Sequence, residues 1–198
     1  MIQFQDISNQ IPYLIFKEKY YEAINAGQKN IEAVAISSFD KKLNEVESRF
    51  VNLKFINDIN FIFFSNYNSP KSKAFSSHNQ IAAVFYWPSI NVQIRMKAKI
   101  KKTSNAFNKE YFYERSEEKN ALAISSDQSK QINSYIQVKE NFNSSLKKDD
   151  LKKCPKYWGG YSFLPYYFEF WTGHESRINK REIFEMIDDV WNHSFLQP

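Results

Sequence analysis

The chain has 198 residues, of which 42% are hydrophobic and 25% are charged, with a formal net charge of +5. This composition is typical of a folded globular protein and excludes disordered and collagen-like chains. A single cysteine, Cys154, excludes an internal disulfide and a thiolate metal cluster, so we expect a reducing, cytoplasmic location. No signal-peptide pattern and no window of about 18 apolar residues for a membrane helix is found.

The N-terminal part predicts one helix followed by strands. Residues 11–26 carry apolar side chains at helical spacing, with Pro12 near the start and Gly27 just past the end. Four short runs rich in Val, Ile and Phe then predict strands at 31–37, 48–56, 61–65 and 81–87. The run 81–87 is apolar on both faces, which predicts a central strand covered on both sides.

The rest of the chain predicts further strands and two helices. Residues 91–101 alternate apolar and polar side chains, as expected of a strand with one buried face. The remaining elements, in order, are helices at 106–114 and 132–146, a charged connector at 147–156, a strand at 161–171 and a hairpin from 181 to the C-terminus.

Together these elements predict the α+β class. We expect a mainly antiparallel β-barrel of six to eight strands, closed or nearly closed, with an N-terminal helix and inserted helices. The division is a helical arm at 1–30 and a barrel domain at 31–198. Because side chains fill the interior of so small a barrel, a ligand must bind outside it, at a rim or between two barrels.

Several common kinds of site are excluded. The three histidines lie far apart and have no zinc-ligand spacing, so no metal is expected. Nucleophile-elbow, P-loop and Rossmann glycine motifs are missing, and Cys154 has the features of a tolerated thiol. Dispersed lysines, some followed by acidic residues as in 147–150, indicate a solvated surface and not a nucleic-acid stripe.

What remains is a set of side chains suited to anions on predicted strands and strand ends. Taken singly, each is typical of a solvated surface, but together they can bind phosphate. They are Arg49, Lys54, Ser65, Asn66, Ser69, Lys71, Gln93, Gln128, Ser129, Arg177 and Arg181.

The order of several motifs is informative. They are Arg49-Phe-Val-Asn-Leu-Lys54, Phe64-Ser-Asn66, Phe85-Tyr-Trp87, Gln93-Ile-Arg95, Glu110-Tyr-Phe-Tyr-Glu-Arg115, Gln128-Ser129, Trp158-Gly-Gly-Tyr161, Phe168-Glu-Phe-Trp171-Thr-Gly173 and Leu196-Gln-Pro198. In this order the chain resembles the pyridoxamine 5'-phosphate oxidase family over nearly its whole length.

The resemblance implies a split-barrel homodimer with FMN in each of two clefts between subunits. Its cofactor contacts fall on Arg49, Phe50, Val51, Lys54, Phe64, Ser65, Lys71, Gln93, Gln128, Ser129, Trp171 and Arg181, the last two closing the cleft. Arg49 and Lys71 are expected at the flavin phosphate and ribityl region, Gln93 at the isoalloxazine edge, and 128–129 to come from the partner subunit.

The resemblance also implies a reaction. Hydride passes from C4' of pyridoxamine or pyridoxine 5'-phosphate to flavin N5, dioxygen reoxidises the flavin to give hydrogen peroxide, and pyridoxal 5'-phosphate forms. Substrate contacts fall on Lys54, Tyr111, Arg115, Lys119 and Arg177. Arg177 and Asn179 occupy the positions nearest the reacting carbon.

The chain departs from the family pattern at three positions. Pro70 replaces an arginine, Lys119 a serine and Asn179 a histidine. Two alternatives therefore stay open: a flavin-binding relative with another substrate, such as a phenazine-type oxidase or a flavin reductase, and a non-catalytic flavin or pyridoxal phosphate binding protein.

Overall fold

The computed structural model describes all 198 residues as five α-helices, nine β-strands and one 3₁₀ turn at Pro88–Ile90. The helices are α1 Ile11–Asn25, α2 Pro70–Ser77, α3 Asn105–Glu114, α4 Glu117–Ser125 and α5 Tyr135–Lys148. The strands are β1 Gln3–Gln5, β2 Ala33–Asp40, β3 Glu45–Asn57, β4 Asn60–Asn66, β5 Gln80–Trp87, β6 Val92–Lys102, β7 Trp158–Thr172, β8 Lys180–Ile187 and β9 Val190–Leu196.

Six strands close into an antiparallel barrel. Going round the ring, β3 pairs with β2, β2 with β5, β5 with β6, β6 with β7, β7 with β4, and β4 with β3. The long β7 pairs with β4 through its first half and with β8 through its second, so β8 and β9 extend the sheet beyond the ring. The predicted α+β barrel is confirmed.

The local chemistry of the sequence explains the strands β6 and β7. In β6, Val92, Ile94 and Met96 face the core while the alternating positions are polar and more exposed, as the period of two requires. The register between β6 and β7 shifts between Lys97 and Ala98. Pro165 lies opposite Ala98, and a bulge tolerates proline because a ladder hydrogen bond is already interrupted there.

Side chains fill the barrel interior, and many of them are aromatic. A cluster of 27 buried residues combines barrel residues with the inner face of α1. Phe16 of α1 is fully buried and meets Phe61 and Phe85 edge to face at 5.2 and 5.3 Å. The inner face of α1 therefore packs into the barrel core.

Three local expectations differ from the structure. The strand at 81–87 is buried on one face only, and Tyr86 on the other face is 57% exposed, because β5 lies in the barrel wall of the single chain. The helix expected at 132–146 begins at Tyr135, since the Ser134 hydroxyl caps it by accepting from the Gln137 N–H. Helices α2 and α4 were not predicted.

No helix of the structure is long and apolar enough to cross a membrane.

Candidate cofactor and substrate cleft

A cleft of about 310 Å³ lies against β3 and β4. Residues of α2, α3, α4 and the start of β7 complete its lining, which consists of Phe50, Val51, Asn52, Lys54, Phe64, Ser65, Lys71, Tyr111, Arg115, Lys119, Gln128 and Trp158. All of these except Asn52 and Trp158 are side chains that the sequence assigned to cofactor or substrate.

Lys71 is a buried cation at one end of the cleft. It lies in the first turn of α2, is 8% exposed, and donates from Nζ to Ser65 Oγ at 3.0 Å, Ser69 Oγ at 3.1 Å and Gln128 Oε1 at 3.2 Å. Burial, reinforced by the nearby Arg49 guanidinium, lowers the pKa of Lys71 to about 8. No carboxylate pairs with this ammonium, so an incoming anion would be stabilised there.

Arg49 and Ser129 line an adjoining cavity that shares Lys71. The Arg49 guanidinium donates to Ser38 Oγ at 2.7 Å and forms an ion pair with Glu47 at 2.6 Å. Strand β3 thus fixes Arg49 beside Lys71, although the Glu47 carboxylate already pairs with Nη2 of the Arg49 guanidinium.

A second group of cations lies further along the cleft, at Lys54, Arg115 and Lys119. None of the three forms an ion pair within the chain. Burial is the main cause that lowers the pKa of Lys54 and of Arg115. The Glu32 carboxylate partly offsets this effect at Lys54, while the other two cations lower the pKa of Lys54 further. Arg115 Nη2 donates to the Lys119 carbonyl at 3.3 Å, while its buried Nη1 has no partner. These three side chains therefore offer positive charge and an unused hydrogen-bond donor to an anionic ligand.

Stacked aromatic rings join the two cationic groups. Phe64 stacks on Tyr111 at 4.0 Å and on Trp158 at 5.0 Å with 9° between the planes, and the Arg115 guanidinium lies 4.5 Å from the centre of the Trp158 ring. Burial raises the pKa of the Tyr111 hydroxyl, which keeps it protonated and able to donate. This wall suits a flat, apolar ring system.

The other predicted residues lie outside this cleft, in a row across three strands and in a neighbouring loop. Gln93, Trp171 and Arg181 lie opposite one another across β6, β7 and β8. Arg177 and Asn179 lie in the loop between β7 and β8, where Arg177 is exposed with φ of +60°. The Asn179 side-chain oxygen accepts from the His174 N–H at 3.0 Å, so this side chain is already used to hold the loop.

A single chain does not bring the row and the cleft together. Trp158, at the cleft, begins the 15-residue strand β7, and Trp171, in the row, lies near its other end. At about 3.3 Å per residue, roughly 40 Å of strand separates them. Gln128 also differs from its expected place, because it contacts Ser65 and Lys71 of the same chain and does not need to come from the partner.

Sequence reasoning gave no role to two residues of these groups. Trp158 belongs to the Trp-Gly-Gly motif, but the sequence alone carries no signal that its ring stacks on Phe64. Glu169, the buried acid between Phe168 and Phe170, also has no predicted role. A carboxylate in an otherwise apolar strand is a sign of a paired charge.

The C-terminal strands match a known family region. Residues 158–198 match the profile described as the pyridoxine 5'-phosphate oxidase C-terminal dimerisation region. A pyridoxine/pyridoxamine 5'-phosphate oxidase of Christiangramia forsetii is 34% identical over 193 residues, which cover 94% of this chain and 88% of that protein. The chain belongs to the pyridoxine/pyridoxamine 5'-phosphate oxidase family. A second member, from Colwellia psychrerythraea, is 31% identical and covers 96% of this chain and 88% of its own.

Solved structures agree with this family fold. PhzG from Burkholderia lata, in complex with tetrahydrophenazine-1-carboxylic acid, superposes with a TM-score of 0.87 at 22% identity, over 94% of this chain and 92% of that one. An FMN-binding protein of Nostoc punctiforme related to pyridoxamine 5'-phosphate oxidase gives 0.79 at 12% identity, over 96% and 99%. The resemblance of the sequence to an oxidase family and its split-barrel fold are thereby confirmed.

Proposed function

We propose that this protein is an FMN-dependent oxidase that converts pyridoxamine 5'-phosphate and pyridoxine 5'-phosphate to pyridoxal 5'-phosphate. The observation that carries the proposal is the cleft itself, in which an aromatic wall joins two cationic groups and only Arg49 forms an ion pair with a carboxylate of the chain. One group suits the phosphate of a flavin nucleotide and the other the phosphate of a small substrate.

The residues present fit FMN. Lys71 is buried among neutral acceptors only, and a phosphate beside it would supply the missing negative charge. Arg49, Ser65 and Gln128 surround the same position. When bound, FMN supplies the acceptor for the hydride and passes the electrons on to dioxygen.

The chain's own residues bind and orient the substrate. Lys54, Arg115 and Lys119 hold its phosphate dianion, and the unpartnered Arg115 Nη1 provides a donor that is fixed before binding. The protonated Tyr111 hydroxyl donates a further hydrogen bond. Arg177 covers the ring and sets the reacting carbon in place, while Asn179 keeps the loop of Arg177 in shape.

The site is completed by a second copy of the chain. Gln93, Trp171 and Arg181 of one subunit would close over the cleft of the other, because they lie too far along β7 to reach their own. Large apolar side chains exposed on the single chain, such as Phe50 at 74%, are then covered. Related by a two-fold axis, the pair has two such sites.

A second candidate is an FMN-dependent oxidase of a different substrate. Lys119 adds a cation where the family pattern has a serine, and Asn179 cannot titrate near neutral pH as the family's histidine can. A solved relative with this fold binds a carboxylated ring compound, whose charge a lysine can also pair with. The same flavin site would then serve another electron donor.

The test is a product assay on the FMN-loaded protein. We expect pyridoxamine 5'-phosphate, with water and dioxygen, to give pyridoxal 5'-phosphate, ammonia and hydrogen peroxide in equal amounts. Pyridoxine 5'-phosphate should give pyridoxal 5'-phosphate and hydrogen peroxide without ammonia. Bound flavin without pyridoxal 5'-phosphate from either compound would favour the second candidate. A protein that fails to bind FMN would contradict both.

A further inference from the structure

Glu169 is the most deeply buried carboxylate on the strands that carry the row of Gln93, Trp171 and Arg181. It is 1% exposed, in the second half of β7. A carboxylate so placed must be paired, since an isolated buried charge is very unfavourable. The residues that pair with Glu169 therefore indicate its role.

Both carboxylate oxygens of Glu169 are occupied, by groups from three adjacent strands. Oε1 accepts from Arg181 Nε of β8 at 2.8 Å. Oε2 accepts from Arg95 Nη1 of β6 at 3.0 Å and from the Tyr167 hydroxyl at 3.2 Å. The acid thus ties β6, β7 and β8 together at the level of the row.

The contact to Arg181 fixes the orientation of a residue proposed to bind FMN. Arg181 donates from Nε to Glu169 and from Nη1 to the Gln197 carbonyl at 3.1 Å. Two of its donor nitrogens are thereby held inside the subunit, and Nη2 has no partner in the chain. A planar guanidinium held at two points presents its third nitrogen in one direction.

We propose that Glu169 is a positioning residue for the cofactor: it holds Arg181 so that Nη2 points out of the subunit toward the flavin bound in the partner's cleft. This inference rests on the proposed function. It assigns to Glu169 an effect on FMN affinity that passes through Arg181 and not through Arg95, although both arginines contact the same carboxylate.

The test is a set of FMN dissociation constants, measured by flavin fluorescence on the dimer. Glu169→Gln keeps the shape but loses the charge, and we expect it to weaken FMN binding about tenfold, equivalent to about 1.4 kcal/mol. In an Arg181→Ala background the same change should weaken binding less than twofold. Non-additivity of this kind is the mark of residues that act through one another.

Arg95→Ala is the matched control, because it removes the other arginine from the same carboxylate. We expect it to leave the FMN dissociation constant within twofold. A loss as large as that of Glu169→Gln would overturn the proposal, as would an equal effect of Glu169→Gln with and without Arg181.

Arg181→Lys keeps the inference testable if Glu169→Gln does not fold. A lysine cannot hold Glu169 and the Gln197 carbonyl while presenting a third directed donor, so we expect it to reproduce the tenfold loss. Wild-type affinity in Arg181→Lys would overturn the positioning role alone. Absence of FMN binding by the unaltered protein would instead overturn the proposed function on which the inference rests.

Discussion

Burial of the Lys71 ammonium without a carboxylate is unfavourable in the free protein and becomes favourable when an anion enters the cleft. The neighbouring hydroxyl and amide oxygens satisfy its hydrogen bonds but supply no full negative charge. The same reasoning applies to Arg115, whose Nη1 is buried without a partner. We infer that a bound anion, and not the fold alone, accounts for the positive charge at both positions.

Replacing Lys71 by methionine should therefore weaken FMN binding by at least tenfold, since a buried charge-assisted contact contributes about 1.5–3 kcal/mol. The pKa of about 8 adds a pH dependence, because the ammonium loses its proton as the pH rises from 7 to 10. Flavin fluorescence titrations should show affinity falling over that range in the wild type and less so in Lys71→Met. Lys73→Met, an exposed change on the same helix, is the control and should bind FMN normally.

The same variant should be more stable than the wild type without FMN. Lys71 has a folded pKa of about 8 against an ordinary value of 10.5, so at pH 7 the folded state binds this proton less tightly than the unfolded state does, which lowers the free energy of unfolding. Removing the charge should raise the free energy of unfolding at pH 7 by roughly 1–3 kcal/mol. The gain should shrink between pH 8 and 10.5, where the wild-type penalty disappears. Urea unfolding of the wild type and the variant at pH 7 and near pH 10 measures this difference in stability. A variant less stable than the wild type at pH 7 would refute this interpretation of Lys71.

Arg115→Lys should separate substrate binding from cofactor binding. Lysine keeps the charge but loses the planar group that stacks on Trp158 and the fixed donor in the cleft. We expect KM for pyridoxamine 5'-phosphate to rise about tenfold, with FMN affinity within twofold, as charge-assisted hydrogen bonds of this strength predict. Lys109→Met, an exposed change on helix α3, which Arg115 directly follows, should change neither value. Loss of FMN with an unchanged KM would reverse the assignment of the two cationic groups.

At the level of elements, the loop between β7 and β8 carries Arg177, which we propose covers the substrate ring. Its shape depends on Asn179, whose side-chain oxygen caps the His174 N–H, and on the left-handed backbone of Arg177. The histidine that the family pattern places at 179 is thus replaced by a residue with a structural contact.

Asn179→Ala should loosen this loop and lower kcat about tenfold while leaving FMN affinity unchanged, because the loop lies outside the phosphate-binding groups. Asn179→Asp retains the acceptor and should keep most of the turnover. Steady-state kinetics of the FMN-loaded variants provide the measurement. Equal activity in Asn179→Ala and the wild type would show that the cap does not matter.

The elements differ in how far sequence could predict them. Strand β6 could be placed from its alternation alone, and α1 from its spacing and end signals, because each pattern is local. Helices α2 and α4 could not, since both are short and rich in polar residues and so lack a clear apolar periodicity. The exposed face of β5 was misjudged because apolar composition does not say whether a second layer covers it.

The site shows the same limit. The resemblance to a family supplied the residue types, but the contacts between Ser65 and Gln128, 63 positions apart, depend on how the loop after α4 returns to β4. The three-strand network of Glu169 likewise requires the register of β6, β7 and β8. Pairings of this kind are tertiary, and single-sequence patterns do not contain them.

At the scale of the whole molecule, β7 sets the architecture of the site. Its start lines the cleft and its end carries the row with Trp171, so one strand places the two halves of a site at opposite ends of the same subunit. In the homodimer that we propose, the first half of the site in each copy meets the second half in the other. Cofactor binding and dimer formation are then linked, and FMN should stabilise the dimer by mass action.

The most direct test of this shared site is complementation between two inactive subunits. Lys71→Met and Arg181→Ala disable different halves, so a heterodimer purified through two affinity tags should regain one intact site. We predict about one FMN site of wild-type affinity per heterodimer and about half the wild-type rate of pyridoxal 5'-phosphate formation, measured at an FMN concentration that leaves both parent homodimers largely unloaded. A heterodimer of Lys71→Met with Arg49→Ala, which damage the same half, should regain nothing. If the first heterodimer binds FMN no more tightly and turns over no faster than its parents, the two halves do not meet across the subunit boundary, and the shared site is contradicted.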